Sequence, residues 1–178
     1  MPTALPSATG SVIHLDLIER GRPDTGSVLP QVRVLVADRQ VLVRAGVRAL
    51  LEVEREITVV AEADTAGHAV AEATRVRPDV VLLDLDLPGL DCVEAIRRIL
   101  AHSGAAVVLL TTSATDRRNL AALRAGARGL LLKDMQGEEL AQAVELIARG
   151  HEHLSPTLTR RLMAQLEWSR SRELSIVS

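Results

Sequence analysis

Lys133 has the clearest chemical signature in the chain, because it is the only lysine among 178 residues that include twenty arginines. It follows the apolar run 129–132, and its compact ammonium suits contact with a single phosphoryl oxygen better than a planar guanidinium does. Asp84 ends a second apolar run, 79–84. The two residues predict a phosphoryl-accepting aspartate with its counter-charge. A buried ion pair, or a lysine left by chance in an arginine-rich composition, is the alternative at this stage.

The elements that must position these residues form a regular alternation that starts at residue 32. The predicted strands are 32–37, 57–62, 80–84, 106–111 and 128–132, and the predicted helices are 40–54, 65–76, 90–101, 116–125 and 137–149. Five β-α units joined by short loops predict an α/β fold, a doubly wound five-stranded parallel sheet with helices on both faces. Strand 80–84 is apolar throughout, which is typical of a central parallel strand.

Four polar residues follow or end different strands of this sheet: Asp38, Asp84, Thr111 and Lys133. Open parallel sheets place their functional sites outside the carboxyl ends of the strands. The four side chains are therefore expected to converge on one edge, and that convergence is more specific than any of the four residues alone.

Composition excludes several classes of protein. Hydrophobic residues make up 47% of the chain, but it has no Phe or Tyr and one Trp, so the core must be built from Leu, Val, Ile and Ala. A net charge of −2 gives no general attraction to nucleic acid or to an anionic membrane. The single cysteine, Cys92, excludes an internal disulfide and a cysteine zinc cluster. Without an apolar run of about 18 residues or a secretory signal, we expect a cytoplasmic protein and no membrane span.

The flanks differ in composition from the alternating region. Residues 1–30 contain four prolines among Ser, Thr and Gly, which predicts a flexible leader. The alternating region predicts a domain over 31–152. Residues 153–178 predict a linker helix, opened by Ser155 and Pro156, and then a polar tail.

Several motifs, in a consistent order and spacing, resemble the receiver domain of bacterial response regulators. The resemblance is to the branch usually fused to a helix-turn-helix DNA-binding domain, the nitrate-regulator or LuxR-type branch, and spans about 32–166. The motifs that carry it are VLVAD (34–38), LVRAG (42–46), RPDVVLLDLDLPG (77–89), LLTT (109–112), AGARG (125–129) and LKD (132–134).

The resemblance implies a flavodoxin-like sheet of order 2-1-3-4-5 and a signalling role in a two-component phosphorelay, without enzymatic activity. A sensor histidine kinase would transfer a phosphoryl group to Asp84. Mg²⁺ would be held by Asp38, Asp84 and the backbone carbonyl of Asp86, Lys133 would pair with the phosphoryl group, and the Thr111 hydroxyl would hydrogen-bond it. Homodimerisation and control of transcription are also implied, with DNA bound through a C-terminal domain of about 60 residues that this sequence does not contain. The chain is then either a receiver cut from a longer regulator or a single-domain protein.

Arg39 departs from the family, which has two adjacent acids at the end of its first strand. Replacing the second acid by arginine removes an oxygen ligand and changes the local charge by two units. Unit charges ~4 Å apart interact by roughly 4 kcal/mol at an effective dielectric of about 20, so weak or absent Mg²⁺ binding is expected. Two hypotheses stay open: a working receiver phosphorylated at Asp84 despite Arg39, or an atypical receiver in which Arg39 pairs with Asp84 or Asp38.

Two further positions are unusual for the family. Leu130 stands where the family has its aromatic switch residue, which weakens the usual coupling to Thr111. Arg117 and Arg118 lie near the start of a predicted helix, where cations oppose the helix dipole, and this favours a role at a partner surface. A flavodoxin-like enzyme or nucleotide binder is a third hypothesis, but the chain has no Gly-rich phosphate loop after its first strand.

Overall fold

A computed structural model describes residues 31–113, 117–154 and 158. The predicted leader, 1–30, lies outside the described residues, as does most of the predicted linker helix and tail, 153–178. The domain boundaries therefore stay a prediction.

The described residues form one parallel sheet flanked by helices. Its strands are β1 (Val32–Ala37), β2 (Ile57–Ala63), β3 (Val80–Asp84), β4 (Ala106–Thr111), β5 (Gly129–Leu132) and β6 (His153–Leu154). The helices are α1 (Val41–Leu51), α2 (Ala66–Val76), α3 (Cys92–Ser103), α4 (Arg117–Arg124) and α5 (Gly137–Ala148).

The sheet order is β2-β1-β3-β4-β5-β6 and every neighbouring pair is parallel. This confirms the predicted α/β class and the order 2-1-3-4-5. The predicted strand number was one too low for the described residues, because the short β6 adds to the edge beside β5. A segment of two residues has no periodicity that a sequence pattern could detect.

Local signals explain where the helices around β3 begin and end. The Thr65 hydroxyl caps α2 by accepting a hydrogen bond from the backbone of His68, and α2 ends at Arg77 in the left-handed conformation, just before Pro78. The Asp91 carboxylate caps α3 by accepting hydrogen bonds from the backbone N–H groups of Val93 and Glu94. The end of α2 before β3 and the start of α3 after the β3 loop are therefore both defined by local sequence signals.

The core consists of two apolar layers, one on each face of the sheet. One layer includes Leu35, Leu83, Ile96, Ile99 and Leu109, and the other includes Val34, Leu82, Leu110, Leu131 and Ile147. Leu130 is fully buried in the first layer. Both faces of the sheet are covered, so polar side chains collect at its carboxyl edge. Within the described residues, no helix is long and apolar enough to cross a bilayer.

Candidate functional site

The strand register aligns the ends of four strands at one edge of the sheet. Leu83 pairs with Ala37, so that Asp84 comes level with Asp38, and on its other side Asp84 pairs with Leu110. Thr111 pairs with Leu132, which places Lys133 one residue beyond. The structure thus brings the four predicted site residues to the same edge. Asp38 is 0% exposed, Asp84 2% and Thr111 4%.

Lys133 lies between the two buried carboxylates. Its ammonium nitrogen Nζ is 2.6 Å from Oδ2 of Asp38 and 3.0 Å from Oδ1 of Asp84. Its backbone N–H donates to the carbonyl of Thr111 over 2.9 Å. A hydrogen-bonded cation between buried acids offsets part of the cost of removing them from water. The lone lysine of the sequence is therefore the counter-charge of both acids.

Backbone groups complete the environment of the carboxylates. The N–H of Gln40 donates to Oδ1 of Asp38 over 2.8 Å, and the N–H of Asp86 donates to Oδ1 of Asp84 over 3.2 Å. Burial raises the pKa of the Asp84 carboxyl, and this effect exceeds the lowering by its hydrogen bonds to Lys133 and Asp86. Burial acts to lower the pKa of Lys133, but hydrogen bonds to its two carboxylates outweigh it and raise that pKa. The pKa values of Asp84 and Lys133 can both be raised, because Lys133 has two carboxylate partners whereas Asp84 shares its one cation with Asp38.

Thr111 is engaged within its own loop. Its hydroxyl donates to the carbonyl of Ser113 over 3.2 Å and accepts from the N–H of Ser113 over 3.1 Å. The carboxamide of Asn119 also donates to the Ser113 carbonyl, over 2.9 Å. Asn119 is fully buried, and its side-chain oxygen has no hydrogen-bond partner among the described residues. In this arrangement the hydroxyl of Thr111 is directed to Ser113, not to Asp84.

Arg39 does not pair with the acids of the site, so the predicted ion pair with Asp84 or Asp38 was wrong. Its side chain is exposed, and none of the ion pairs found among the described residues involves it. The physical reason is competition. Lys133 reaches both carboxylates from the end of β5, two strands away from β3, with little exposure of its own, so Arg39 keeps its guanidinium in water.

Sequence reasoning missed two contacts made by consecutive residues of α4. Nη2 of Arg118 lies 2.8 Å from Oδ1 of Asp86, and Nη1 of Arg118 donates to the carbonyl of Leu85 over 3.4 Å. Asn119 holds the Ser113 carbonyl, as described above. For Asn119 a signal was available: it is a polar residue one turn before Ala122 on the buried face of the helix. For Arg118 the sequence favoured a role at a partner surface, because nothing local indicates an acid over thirty residues away.

The donor set fits a magnesium ion poorly. Mg²⁺ demands oxygen ligands in near-octahedral geometry, usually one or two carboxylates with several waters. The two buried carboxylates, of Asp38 and Asp84, both already contact the Lys133 ammonium, and the Asp86 carboxylate pairs with Arg118. Arg39 stands where the family has a second acid, so this position supplies a positive charge instead of an oxygen ligand. We therefore assign no chemical step to a metal here.

Comparison with known proteins identifies the class. The family model for the response regulator receiver domain matches residues 34–145. The chain therefore belongs to the response regulator receiver domain family, as the sequence motifs predicted. Its membership also supports the prediction that it is a signalling domain and not an enzyme.

Relatives from several bacteria show the same family. The Nitrate/nitrite response regulator protein NarL of Escherichia coli K12 is 34% identical over 139 residues, which cover 78% of this chain and 64% of that protein. The Uncharacterized transcriptional regulatory protein YxjL of Bacillus subtilis is 39% identical over 121 residues, covering 67% and 56%. The chain spans less than two thirds of the length of the curated relatives it matches.

Solved structures similar to this chain are also response regulators. The signal receiver domain of the putative response regulator NarL from Mycobacterium tuberculosis is 34% identical, with a TM-score of 0.63, and covers 68% of this chain and 98% of that one. A LuxR-family two-component response regulator from Aurantimonas is 34% identical, with a TM-score of 0.70 over 76% and 97% of the two chains. Both neighbours are response regulators of the branch that the motifs indicated.

Proposed function

We propose that this chain is an atypical receiver domain of a cytoplasmic two-component system, with Asp84 as its acceptor position and with little or no metal-assisted phosphorylation. The observation that carries the proposal is the cation Arg39, which directly follows the buried Asp38 at the position where the family has a second acid. Receiver domains receive their phosphoryl group from sensor histidine kinases. A partner of that kind is therefore proposed, with transcription as the output of the whole protein, through DNA bound by a further domain.

Charge explains why metal binding should be weak. Around the acceptor, the negative charges of Asp38, Asp84 and Asp86 are paired with Lys133 and Arg118, and the exposed Arg39 adds a further positive charge directly after Asp38. A dication gains little from a site that is close to neutral. A phosphoryl donor is itself an anion, and without a metal to offset the repulsion it must approach a carboxylate directly. Slow or absent labelling of Asp84 follows from both arguments.

The test is labelling with acetyl phosphate and Mg²⁺, followed by a gel that retards phosphoproteins. We expect little labelling of the natural sequence. Arg39→Asp supplies the missing ligand and should raise both Mg²⁺ affinity and labelling by at least about tenfold, the lower range for changes around a metal site. Asp84→Asn should abolish any signal.

Arg39→Gln is the matched control, because it removes the cation without adding a carboxylate. If it performs as well as Arg39→Asp, repulsion alone limits the site; if neither variant gains, Arg39 is not the cause and the proposal fails. Stoichiometric labelling of the natural sequence would instead establish the second candidate, a conventional receiver. That candidate is favoured by the 3.0 Å contact between Lys133 and Asp84, since a conventional site needs an ammonium beside its acceptor.

A further inference from the structure

We propose that Arg118 is a positioning residue that ties the loop after Asp84 to helix α4, so that a change of charge at Asp84 reaches α4 directly. The role assigned to Arg118 assumes the receiver function proposed above. The experiment that tests it does not require phosphoryl transfer. Its starting point is a pair of contacts on one guanidinium, to the Asp86 carboxylate and to the Leu85 carbonyl.

The contacted residues are the two that follow Asp84. Asp86 also donates its backbone N–H to the Asp84 carboxylate over 3.2 Å. A continuous chain of polar contacts thus runs from the acceptor carboxylate through Asp86 to the first turn of α4. A change at Asp84 alters the hydrogen bond to Asp86, and the ion pair conveys that change to Arg118.

The contact with Asp86 offsets an unfavourable position of Arg118. A cation in the first turn of a helix is unfavourable, because it opposes the helix dipole. α4 has no acid in its first turn, whereas α5 has two, Glu138 and Glu139. Asp86, in the loop after β3, supplies this negative charge. The ion pair neutralises both Arg118 and the acid two residues after the acceptor.

The next residue of α4 attaches the helix to the other loop of the site. Asn119 donates to the Ser113 carbonyl, which also accepts the hydroxyl of Thr111. Consecutive residues of α4 therefore contact Ser113 after β4 and the two residues after Asp84. With Leu130 in place of an aromatic switch residue, these polar contacts provide a route from the site to α4 that does not depend on an aromatic ring.

The experiment is amide hydrogen exchange on the full chain, read at residues 85–87 and 117–124. Arg118→Gln and Asp86→Asn should each speed exchange there by about two- to five-fold, the size expected for an exposed ion pair. The double variant should show no further increase over Arg118→Gln alone, because that change already removes the ion pair with Asp86. Arg117→Gln, which removes the same charge from the same helix turn, should not speed exchange, because it relieves the opposition to the helix dipole without breaking the contact with Asp86.

Coupling to the acceptor is tested with Asp84→Asn, which removes the acceptor charge without a phosphoryl donor. It should change exchange in α4 when Arg118 is present, and the change should be lost in the Arg118→Gln background. An undiminished effect in that background, or Arg118→Gln behaving like Arg117→Gln, would overturn the inference. Failure of Arg39→Asp to restore labelling would count against the proposed function alone, because these measurements involve neither metal nor phosphate.

Discussion

At the scale of residues, the site depends on the charge of Lys133, whose side chain is 14% exposed. Two carboxylates share this one cation, and each also accepts a hydrogen bond from a backbone N–H group. The half-buried Cys92, in contrast to Lys133, is mainly uncharged at neutral pH. Burial raises the pKa of its thiol to about 11, so it carries little thiolate at neutral pH, which favours a packing role over redox sensing.

Lys133→Met should destabilise the fold by about 3–5 kcal/mol at pH 7.5, because it leaves buried carboxylates without a cation. Burial already raises the pKa of Asp84, and loss of Lys133 raises it further. A group whose pKa is higher in the folded state contributes most stability below its unfolded pKa and loses it as the pH rises through the folded value. The cost should therefore shrink between pH 7.5 and pH 5 in urea unfolding.

Adding Asp84→Asn to Lys133→Met provides the control for that measurement. The amide removes one of the two unpaired charges, and part of the lost stability should return at pH 7.5. An equal loss at both pH values would contradict the assignment of Lys133 as the counter-charge.

At the scale of elements, the packing of helices against the sheet leaves space for an added Cβ at some glycines and not at others. A Cβ added at Gly46, inside α1, would meet no atom within 4 Å. At Gly129, the first residue of β5, a Cβ would lie 2.8 Å from Cδ1 of Ile147 and 3.2 Å from the backbone carbonyl oxygen of His153. The side chain can move aside more easily than the backbone of β6 can, so Gly129 is required by the pairing of β5 with β6.

Alanine substitutions should therefore have opposite effects at these two glycines. Gly46→Ala should raise the free energy of unfolding by about 0.5–1 kcal/mol, since it reduces the entropy of the unfolded chain without a clash. Gly129→Ala should lower it by about 1–3 kcal/mol through overpacking. Urea denaturation measures the change in the free energy of unfolding for each variant. Two changes of the same sign would contradict a tight fit around Gly129.

At the scale of the whole molecule, apolar surface is distributed unevenly. Leu42 is 86% exposed, Val53 75% and Val41 66%, and all three lie in α1 or just after it. Val41 and Leu42 lie at the start of α1 and Val53 lies just after its end, and large exposed apolar patches commonly mark interaction surfaces. The exposed side chains lead us to predict that the α1 surface takes part in self-association.

Sedimentation velocity tests this proposal. Leu42→Glu and Val53→Glu should each shift a dimer toward monomer, because each places a charge in an apolar contact. Leu154→Glu is the control, since it introduces the same charge in β6 at the other edge of the sheet. A natural sequence that stays monomeric at about 100 μM, a concentration at which micromolar dimers would be populated, would rule the interface out.

The sequence by itself determined the sheet and the residues at its edge. Apolar runs of four to six residues, alternating with helical patterns, specify parallel strands, and the polar residue after each run then has to lie at the carboxyl edge. Asp38, Asp84, Thr111 and Lys133 could be selected on this basis alone, because the period of an element and the point where it ends are local properties of the chain.

The sequence predicted Lys133 as the counter-charge of Asp84, but only the tertiary structure decided the other charge pairs. Lys133 and Asp38 are 95 residues apart in sequence, and the choice of Lys133 over Arg39 depends on which side chain reaches the buried acids from its own strand end. The contact of Arg118 with Asp86 depends in the same way on how α4 packs beside the β3 loop. Ion pairing falls off over a few ångströms, and distances of that size between remote residues are set by packing, which no local pattern records.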